Sequence, residues 1–312
     1  MVIIVKTGET GKLRAIALTA LFLVCAGLLL IPDAANAQGE STEPYSRLDP
    51  KAYDPAVDVD IDLFIGSWKE SNPVTIHGAI VERTILTPNP GDPLRPQRKG
   101  AVLKYLKAVS YGTMPPKAST RPATLESIQE IYYIFSGEGI MTAGGKEVAL
   151  RKGIFVLVPE GLTFTVKNTL DEPLAMYIVR EAVPGGFRPN EELLVVDEDT
   201  LSMGSRSHWN HLAKRIFLTE DGLGTLQSMY IVYFDPMTMG QPHSHVDKSE
   251  EIWITLGGEN VLLLGKELRD LPPGSGFKIP TDGKTPHSSI NTSDKPVKMI
   301  CFARYGDHEV RK

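Results

Sequence analysis

Short runs of β-branched and aromatic residues, separated by Gly, Pro, Asn and Asp, occupy the chain from about Val74 onward. The periodicity of an amphipathic helix is nearly absent from this region. Closely spaced apolar runs with turn residues between them are typical of an all-β sandwich or barrel. The predicted strands include residues 102–109, 130–135, 154–158, 176–179, 227–234, 251–256, 261–264 and 297–302.

The strand pattern occurs twice. The sequence EIYYIFSGE at 130–138 reappears as EIWITLGGE at 251–259, and the segment 159–168 reappears as 280–291. Self-similarity of this kind predicts a tandem duplication. A chain of 312 residues is also long enough for two cores.

Composition along the chain suggests where these two domains begin and end. Pro and Asp are frequent before residue 74, and Pro, Gly, Glu and Asp are frequent between the repeats, as in exposed arms and linkers. The predicted organisation is an arm at 38–73, a first domain at 74–183, a linker at 184–213, a second domain at 214–306 and a tail at 307–312.

The first 37 residues resemble a secretory leader. Lys6, Lys12 and Arg14 precede an apolar run at 15–31, and the small-residue sequence Ala-Asn-Ala ends at Ala37. This combination predicts a signal peptide at 1–37 that is removed after Ala37, and hence a periplasmic or secreted protein. The alternative is an uncleaved membrane anchor, for which the apolar run is short.

Cys301 would be the one cysteine of the mature chain, so no intramolecular disulfide is expected there, and a buried thiol is predicted. The net charge of −5 and the absence of a Lys/Arg run with interleaved aromatic residues argue against nucleic acid as a partner. After cleavage of the leader we expect no membrane association. A small-molecule ligand or substrate is the expected partner.

Three histidines and a glutamate are spaced to meet at one metal ion. His243 and His245 are two residues apart, so on a strand both side chains would project from the same face. Glu251 on the next strand and His287 from a later hairpin would complete the set. Imidazole nitrogens with one carboxylate suit Mn, Fe, Zn or Ni better than Mg or Ca, so we predict one divalent transition metal ion.

These residues resemble the two sequence motifs of the cupin superfamily, and their duplication resembles a bicupin, with two tandem jelly-roll barrels. The first motif is matched by Gly240, His243, His245, Glu251 and Gly258, and the second is matched loosely by Pro280, Gly283, His287 and Asn291. The resemblance covers about residues 75–306. It implies double-stranded β-helix barrels whose interiors hold a small ligand.

The position of the carboxylate ligand is open between two neighbours. The usual spacing of the family selects Glu250, whereas the spacing to Gly258 in the repeat favours Glu251. If Glu251 points inward, Trp253 also faces the cavity. Gln241, two residues before His243, is the other candidate for lining the pocket.

The first repeat serves as an internal comparison. Aligning 114–116 with the segment before His243 places Lys117 and Ser119 at the two histidine positions, while Phe164 replaces the third histidine and Glu130 remains. An ammonium group and a phenyl ring offer no lone pair to a metal. The first domain is therefore predicted to be structural, or a ligand pocket without metal. The remaining histidines, interpreted as core or surface residues, are His77, His208, His211 and His308.

Three functional classes are compatible with such a site. The first is a metal-dependent enzyme acting on a small polar substrate, namely a sugar, uronate or carboxylic acid, as an isomerase, lyase or decarboxylase. The second is an Fe(II)-dependent dioxygenase, and the third is a non-catalytic module that binds a metal or small ligand. The resemblance to a fold does not choose among them. The protein is expected to be a monomer or a homodimer.

Overall fold

The structure is a computed structural model that describes residues 58–206 and 209–306. The predicted signal peptide, most of the predicted arm and the tail lie outside these residues. The described chain is nearly all β, with short 3-10 helices at Ile61–Phe64, Trp68–Glu70, Glu198–Thr200 and Thr219–Asp221. None of its helices has the length and apolar composition that crossing a membrane requires.

Twelve strands precede residue 184: β1 Ile65–Ser67, β2 Val74–Ile76, β3 Ile80–Pro88, β4 Ala101–Leu103, β5 Leu106–Met114, β6 Ala123–Thr124, β7 Ile128–Ser136, β8 Glu138–Ala143, β9 Lys146–Arg151, β10 Ile154–Val158, β11 Thr163–Asn168 and β12 Leu174–Ala182. Ten follow: β13 Leu194–Asp197, β14 Gly204–Arg206, β15 Trp209–Leu218, β16 Ser228–Phe234, β17 Glu250–Gly257, β18 Asn260–Leu264, β19 Glu267–Asp270, β20 Ser275–Lys278, β21 His287–Asn291 and β22 Val297–Arg304.

The strands form two barrels, each built from one large and one small sheet. The first barrel has an eight-stranded sheet in the order β13-β10-β7-β12-β5-β3-β2, with β4 on β3, and a four-stranded sheet in the order β6-β11-β8-β9. The second barrel has a seven-stranded sheet in the order β1-β20-β17-β22-β16-β15-β14 and a three-stranded sheet in the order β19-β18-β21. The predicted fold, all-β with two jelly-roll barrels, is confirmed.

Two apolar cores explain why these strands lack simple alternation of polar and apolar residues. Tyr132 and Ile134 of β7 belong to the core inside the first barrel. Ile131 and Tyr133 belong to a second core, which also includes Ile252 of β17. Successive side chains of a strand point to opposite faces. Both faces of the large sheets are therefore buried, one inside a barrel and one between the barrels.

Segments that the sequence places outside the domains take part in these sheets. Strand β1, from the predicted arm, pairs with β20 of the second barrel. Strand β13, from the predicted linker, pairs with β10 of the first barrel. Strand β15 of the second barrel also begins inside the predicted linker, at Trp209. The domain boundaries themselves stay predictions.

The prediction of one continuous strand at 102–109 is wrong. The chain turns at Lys104 and Tyr105, which separates β4 from β5. The backbone N–H groups at this turn donate to the side chain of Glu250 instead of to a neighbouring strand. A run of apolar residues gave no sign of this distant acceptor.

The duplication extends to individual side chains. The amide nitrogen of Asn168 lies within hydrogen-bond distance of three backbone carbonyls, those of Met114, Pro115 and Glu172, at 3.3, 3.0 and 2.8 Å. Asn291 contacts the carbonyls of Phe234, Asp235 and Lys295 in the same way, at 3.0, 3.0 and 2.7 Å. Each amide therefore fastens the loop before the small sheet to the loop after it.

Replacing Asn291 with alanine is expected to lower the free energy of unfolding by about 1–3 kcal/mol, because buried carbonyls lose their donor. Urea denaturation monitored by circular dichroism measures the change. Asn168→Ala is the matched variant and should cost a similar amount. A loss below about 0.5 kcal/mol for both variants, the range of ordinary surface substitutions, would contradict this role.

Candidate metal centre

His243, between β16 and β17, and His287, at the start of β21, lie directly opposite each other. The backbone N–H of His287 donates to the carbonyl of His243 at 3.0 Å, and the N–H of His243 donates back at 3.4 Å. Directly paired residues of antiparallel segments project to the same side. Their ring centroids are consequently 4.5 Å apart, and the two Nε2 atoms are separated by 3.4 Å.

His245 joins this pair from two residues further along the chain. Its ring centroid lies 4.9 Å from that of His243 and 5.3 Å from that of His287. One nitrogen from each ring falls within 4.8 Å of the other two. The structure thus brings together the three histidines that the sequence selects as ligands.

Glu251, and not Glu250, lies beside two of the three rings. One oxygen of its carboxylate is 3.6 Å from Nε2 of His245, and the other is 3.7 Å from Nε2 of His287. Glu250 is the preceding residue of β17, so its side chain points to the opposite face, between the barrels. The repeat spacing is the better guide here than the usual spacing of the family motif.

The long turn before His287 is held by one aspartate. Oδ1 of Asp282 accepts from the backbone N–H groups of Lys284 and Thr285, both at 2.8 Å, and Oδ2 accepts from the Thr285 hydroxyl. Gly283 adopts a left-handed conformation with φ of 72° and donates its N–H to the carbonyl of His245 at 2.8 Å. The bond from Gly283 ties the turn to the segment between β16 and β17 that carries the other two histidines.

Hydrogen bonds around the site orient its side chains. Nδ1 of His243 lies 2.9 Å from the carbonyl of Gln241, which can only accept, so Nδ1 carries the proton and Nε2 presents its lone pair to the other rings. The indole N–H of Trp253 donates to Glu251 at 2.7 Å, and the Tyr305 hydroxyl donates to the other oxygen. The ring of Tyr305 also stacks on that of His245, with centroids 5.7 Å apart.

His287 is buried, with 4% of its surface exposed. Burial, together with the neighbouring His243 and His245, holds the pKa of His287 well below its usual range. The ring is therefore neutral at neutral pH, the state in which imidazole binds metals. Three imidazole nitrogens with one carboxylate form a donor set that fits a divalent transition metal ion.

A small cavity lies beside His243 and His287, with room for about one or two water-sized groups. Both pocket residues selected from the sequence, Gln241 and Trp253, line it. Phe234 was not anticipated as a lining residue. The full lining comprises Phe234, Gly240, Gln241, His243, Trp253, His287, Ser288 and Ser289.

The equivalent positions of the first barrel carry no such ligands, but the predicted alignment is wrong in detail. His243 pairs with His287 where Ala123 pairs with Phe164, and the carbonyl of His245 accepts from Gly283 where that of Leu125 accepts from Gly161. The histidine positions thus correspond to Ala123 and Leu125, not to Lys117 and Ser119. Lys117, with φ of 57°, instead corresponds to Met237, with φ of 56°, so the loops before these positions are equally long and the predicted alignment matched the wrong proline.

An ion network occupies the corresponding part of the first barrel. The Arg180 guanidinium bridges Glu82 and Glu130, with N–O distances of 2.7 and 2.6 Å. His77 lies 3.0 Å from the same Glu130 carboxylate, and the Tyr132 hydroxyl donates to it. Burial raises the pKa of Glu130, but His77 and Arg180 outweigh this and hold it below its usual value.

Of the remaining histidines, the structure describes the side chain of His77. This part-buried side chain is the partner of Glu130, which agrees with its interpretation as a core histidine. His208 and His308 lie outside the described residues, as does the side chain of His211. Tyr305 is the main site residue that the sequence did not indicate, because nothing in its neighbourhood distinguishes it from an ordinary residue after the last strand.

The model of the cupin domain family matches the chain twice, over residues 110–180 and 230–303. One match falls in each barrel, so the chain belongs to the cupin superfamily and is a bicupin. Its sequence matches none of the curated proteins with which it was compared.

Solved structures share this two-barrel fold at low sequence identity. The putative glyoxylate induced protein of Pseudomonas aeruginosa has a TM-score of 0.61 at 16% identity, over 77% of this chain and 86% of that chain. AerE of Microcystis aeruginosa has a TM-score of 0.58 at 15% identity, over 77% and 98%. A variant of oxalate decarboxylase from Bacillus subtilis has a TM-score of 0.59 at 11% identity, over 83% and 80%.

Proposed function

We propose that this protein is an exported bicupin that binds one divalent transition metal ion in its second barrel, with His243, His245, His287 and Glu251 as ligands. The observation that carries the proposal is the convergence of three imidazole nitrogens within 4.8 Å of one another. Glu251 adds an anionic oxygen donor beside two of them. Mn, Fe, Zn and Ni are the candidate ions.

We further propose an enzyme that acts on a small carboxylic acid as a lyase or decarboxylase. A bound ion would supply Lewis-acid chemistry to a substrate carboxylate. Within the protein, Trp253 and Tyr305 hold the Glu251 carboxylate in place through hydrogen bonds. Oxalate decarboxylases are among the proteins that share the fold, and one of them, from Bacillus subtilis, has Mn(II) centres.

The cavity favours a carboxylic acid over a sugar or uronate. A sugar needs space and several hydrogen-bonding groups around its hydroxyls, but the cavity has room for about one or two water-sized groups. The Ser288 hydroxyl already donates to the carbonyl of Gly240 at 2.8 Å, and that of Ser289 to the sulfur of Met299 at 3.3 Å. Apart from these serines and the histidines, Gln241 is the polar side chain of the described lining. A small acid with an apolar remainder suits these surroundings better.

Two aromatic residues of the lining favour a second candidate, an Fe(II)-dependent dioxygenase. Phe234 and Trp253 face the cavity next to His243 and His287. A small apolar space beside a metal would admit dioxygen or an apolar substrate group. The third class, a binding module, would take up a small acid without converting it.

Protein purified from the periplasm without chelators is expected to contain about one equivalent of a transition metal by elemental analysis, because the site combines neutral imidazoles with a carboxylate. Less than about a tenth of an equivalent in folded protein would overturn the metal proposal. Treatment with a chelator followed by reloading with each candidate ion then identifies the ion that restores thermal stability.

The functional classes are separated by turnover with that ion bound. Loss of carbon dioxide or rearrangement of a small acid without dioxygen uptake supports the first class. Stoichiometric dioxygen consumption that requires Fe(II) supports the dioxygenase. Binding of a small acid by calorimetry without conversion supports the non-catalytic module.

Export is tested independently of the metal. The expected mature protein begins at Gln38 and accumulates in the periplasm or medium, which mass spectrometry of the purified chain measures. A cytoplasmic protein that retains residues 1–37 would refute this part of the proposal.

A further inference from the structure

The first barrel contacts the residue next to the candidate metal centre through an unusual group of hydrogen bonds. Glu250 is fully buried, and its carboxylate accepts from the backbone N–H groups of Lys104, Tyr105 and Leu106 at 2.6, 3.2 and 3.1 Å. Lys104 and Tyr105 form the turn between β4 and β5 of the first barrel, and Leu106 is the first residue of β5. Glu251 follows directly on β17 and faces the three histidines.

The same turn contacts a second residue that adjoins the centre. Arg304 pairs with Glu250 across β17 and β22, and its guanidinium lies over the ring of Tyr105, 4.5 Å from the centroid. Tyr305 follows Arg304, and its hydroxyl donates to Glu251. Residues 104–106 thus contact Glu250 and Arg304, and the next residue after each of these, Glu251 and Tyr305, belongs to the candidate metal centre.

We propose that Glu250 is a positioning residue, through which the turn at 104–106 fixes the Glu251 carboxylate for metal binding. This inference rests on the proposed function of the second barrel. It gives the first barrel, which lacks the ligand histidines, a role in the metal site of its neighbour.

The physical basis is the cost of moving a buried carboxylate. Glu250 lies in a dry interface, where several N–H donors offset its loss of hydration. A shift of the start of β17 would lengthen all of these bonds together. Glu251 is one residue away on a regular strand, so this anchoring is transmitted to its side chain. Groups that orient metal ligands typically change metal affinity by about 10–100-fold when they are replaced.

The duplication supplies a matched control on the other side of the interface. Glu181 of the first barrel is also fully buried. Its carboxylate accepts from the backbone N–H groups of Gly224, Thr225 and Leu226, at 3.0, 2.8 and 2.8 Å, in the second barrel. Glu181 therefore matches Glu250 in burial and in its three backbone donors, although Glu181 also accepts from Gln129 and Glu250 also interacts with the buried Lys278. The residue beside Glu181, Arg180, belongs to the ion network of the metal-free barrel.

The experiment compares Glu250→Gln with Glu181→Gln in the full mature chain. Each amide presents an NH₂ group where the carboxylate accepts, so both variants should lower the thermal midpoint of the metal-depleted protein. Co(II) is the probe, with its dissociation constant measured by competition with a chromophoric chelator and its coordination by visible absorption. Glu250→Gln should weaken Co(II) binding about 10-fold and alter the spectrum. Glu181→Gln should change affinity less than about 2-fold and keep the wild-type spectrum.

Tyr105→Leu provides a second test that keeps Glu250 intact. It removes the ring beneath Arg304, and should alter the Co(II) spectrum in the same direction with a smaller loss of affinity. This variant decides the matter if Glu250→Gln does not fold. Equal effects of the Glu250 and Glu181 variants, or unchanged spectra for the Glu250 and Tyr105 variants, would overturn the inference alone. Failure of the wild-type protein to bind Co(II) would instead refute the proposed function.

Discussion

Replacing His287 with alanine is expected to reduce bound metal from about one equivalent to less than about a tenth of an equivalent, measured by elemental analysis of folded protein. The other histidines come from one segment, so His287 is the ligand from the facing strand that closes the site. The variant retains His243, His245 and Glu251 as ligands and leaves an empty space where the third imidazole was. With one ligand fewer, the affinity for the ion becomes too low for it to stay bound during purification.

His77→Ala is the control for this variant. Like His287, His77 is an imidazole beside a buried glutamate. It is part-buried and lies in the first barrel, next to Glu130. The control should keep the full metal content even if it lowers stability. Retention of metal by His287→Ala, or equal loss in both variants, would show that the three imidazoles do not form the site.

Replacing Arg180 with methionine is expected to lower the free energy of unfolding by about 3–5 kcal/mol, because Glu82 and Glu130 then remain buried without their cation. Their side chains are 3% and 1% exposed, so water cannot replace the guanidinium. Urea denaturation of the metal-depleted protein measures the change.

Two further variants show whether the loss of stability comes from the buried, unpaired carboxylates or from the loss of an arginine as such. Arg151→Met removes an arginine that pairs with Asp197 while its side chain is 48% exposed, and should cost about 0–1 kcal/mol. Combining Arg180→Met with Glu82→Gln and Glu130→Gln should recover much of the stability, because no unpaired charge stays buried. If Arg180→Met costs no more than Arg151→Met, the network does not stabilise the barrel.

The fold could be predicted from the sequence because its signals are local or repeated. Turn residues between short apolar runs indicated β-strands, and the similarity of 130–138 to 251–259 indicated two equivalent domains. The spacing to Gly258 in the same repeat favoured Glu251 over Glu250, and the structure places Glu251 near His245 and His287.

The rest depended on contacts between distant parts of the chain. The turn at Lys104 exists where a glutamate from the other barrel accepts its N–H groups, and no local pattern reveals such a partner. The alignment of Lys117 with a histidine failed because it matched Pro116 to Pro242, the proline next to His243, whereas the backbone of Lys117 corresponds to that of Met237. The ion pair of Arg180 with Glu82 joins β12 to β3, and strands β4 to β11 lie between these two in the sequence.

Strand β1 gives the protein an order of assembly that its sequence does not suggest. It precedes the whole first barrel in the chain, yet its partner β20, at Ser275–Lys278, lies near the other end. During synthesis, Ile65–Ser67 emerges early, and its strand partner follows only after about 200 further residues. The seven-stranded sheet can therefore be completed only when nearly the entire polypeptide is available, which makes the closing of the second barrel a late, long-range folding step.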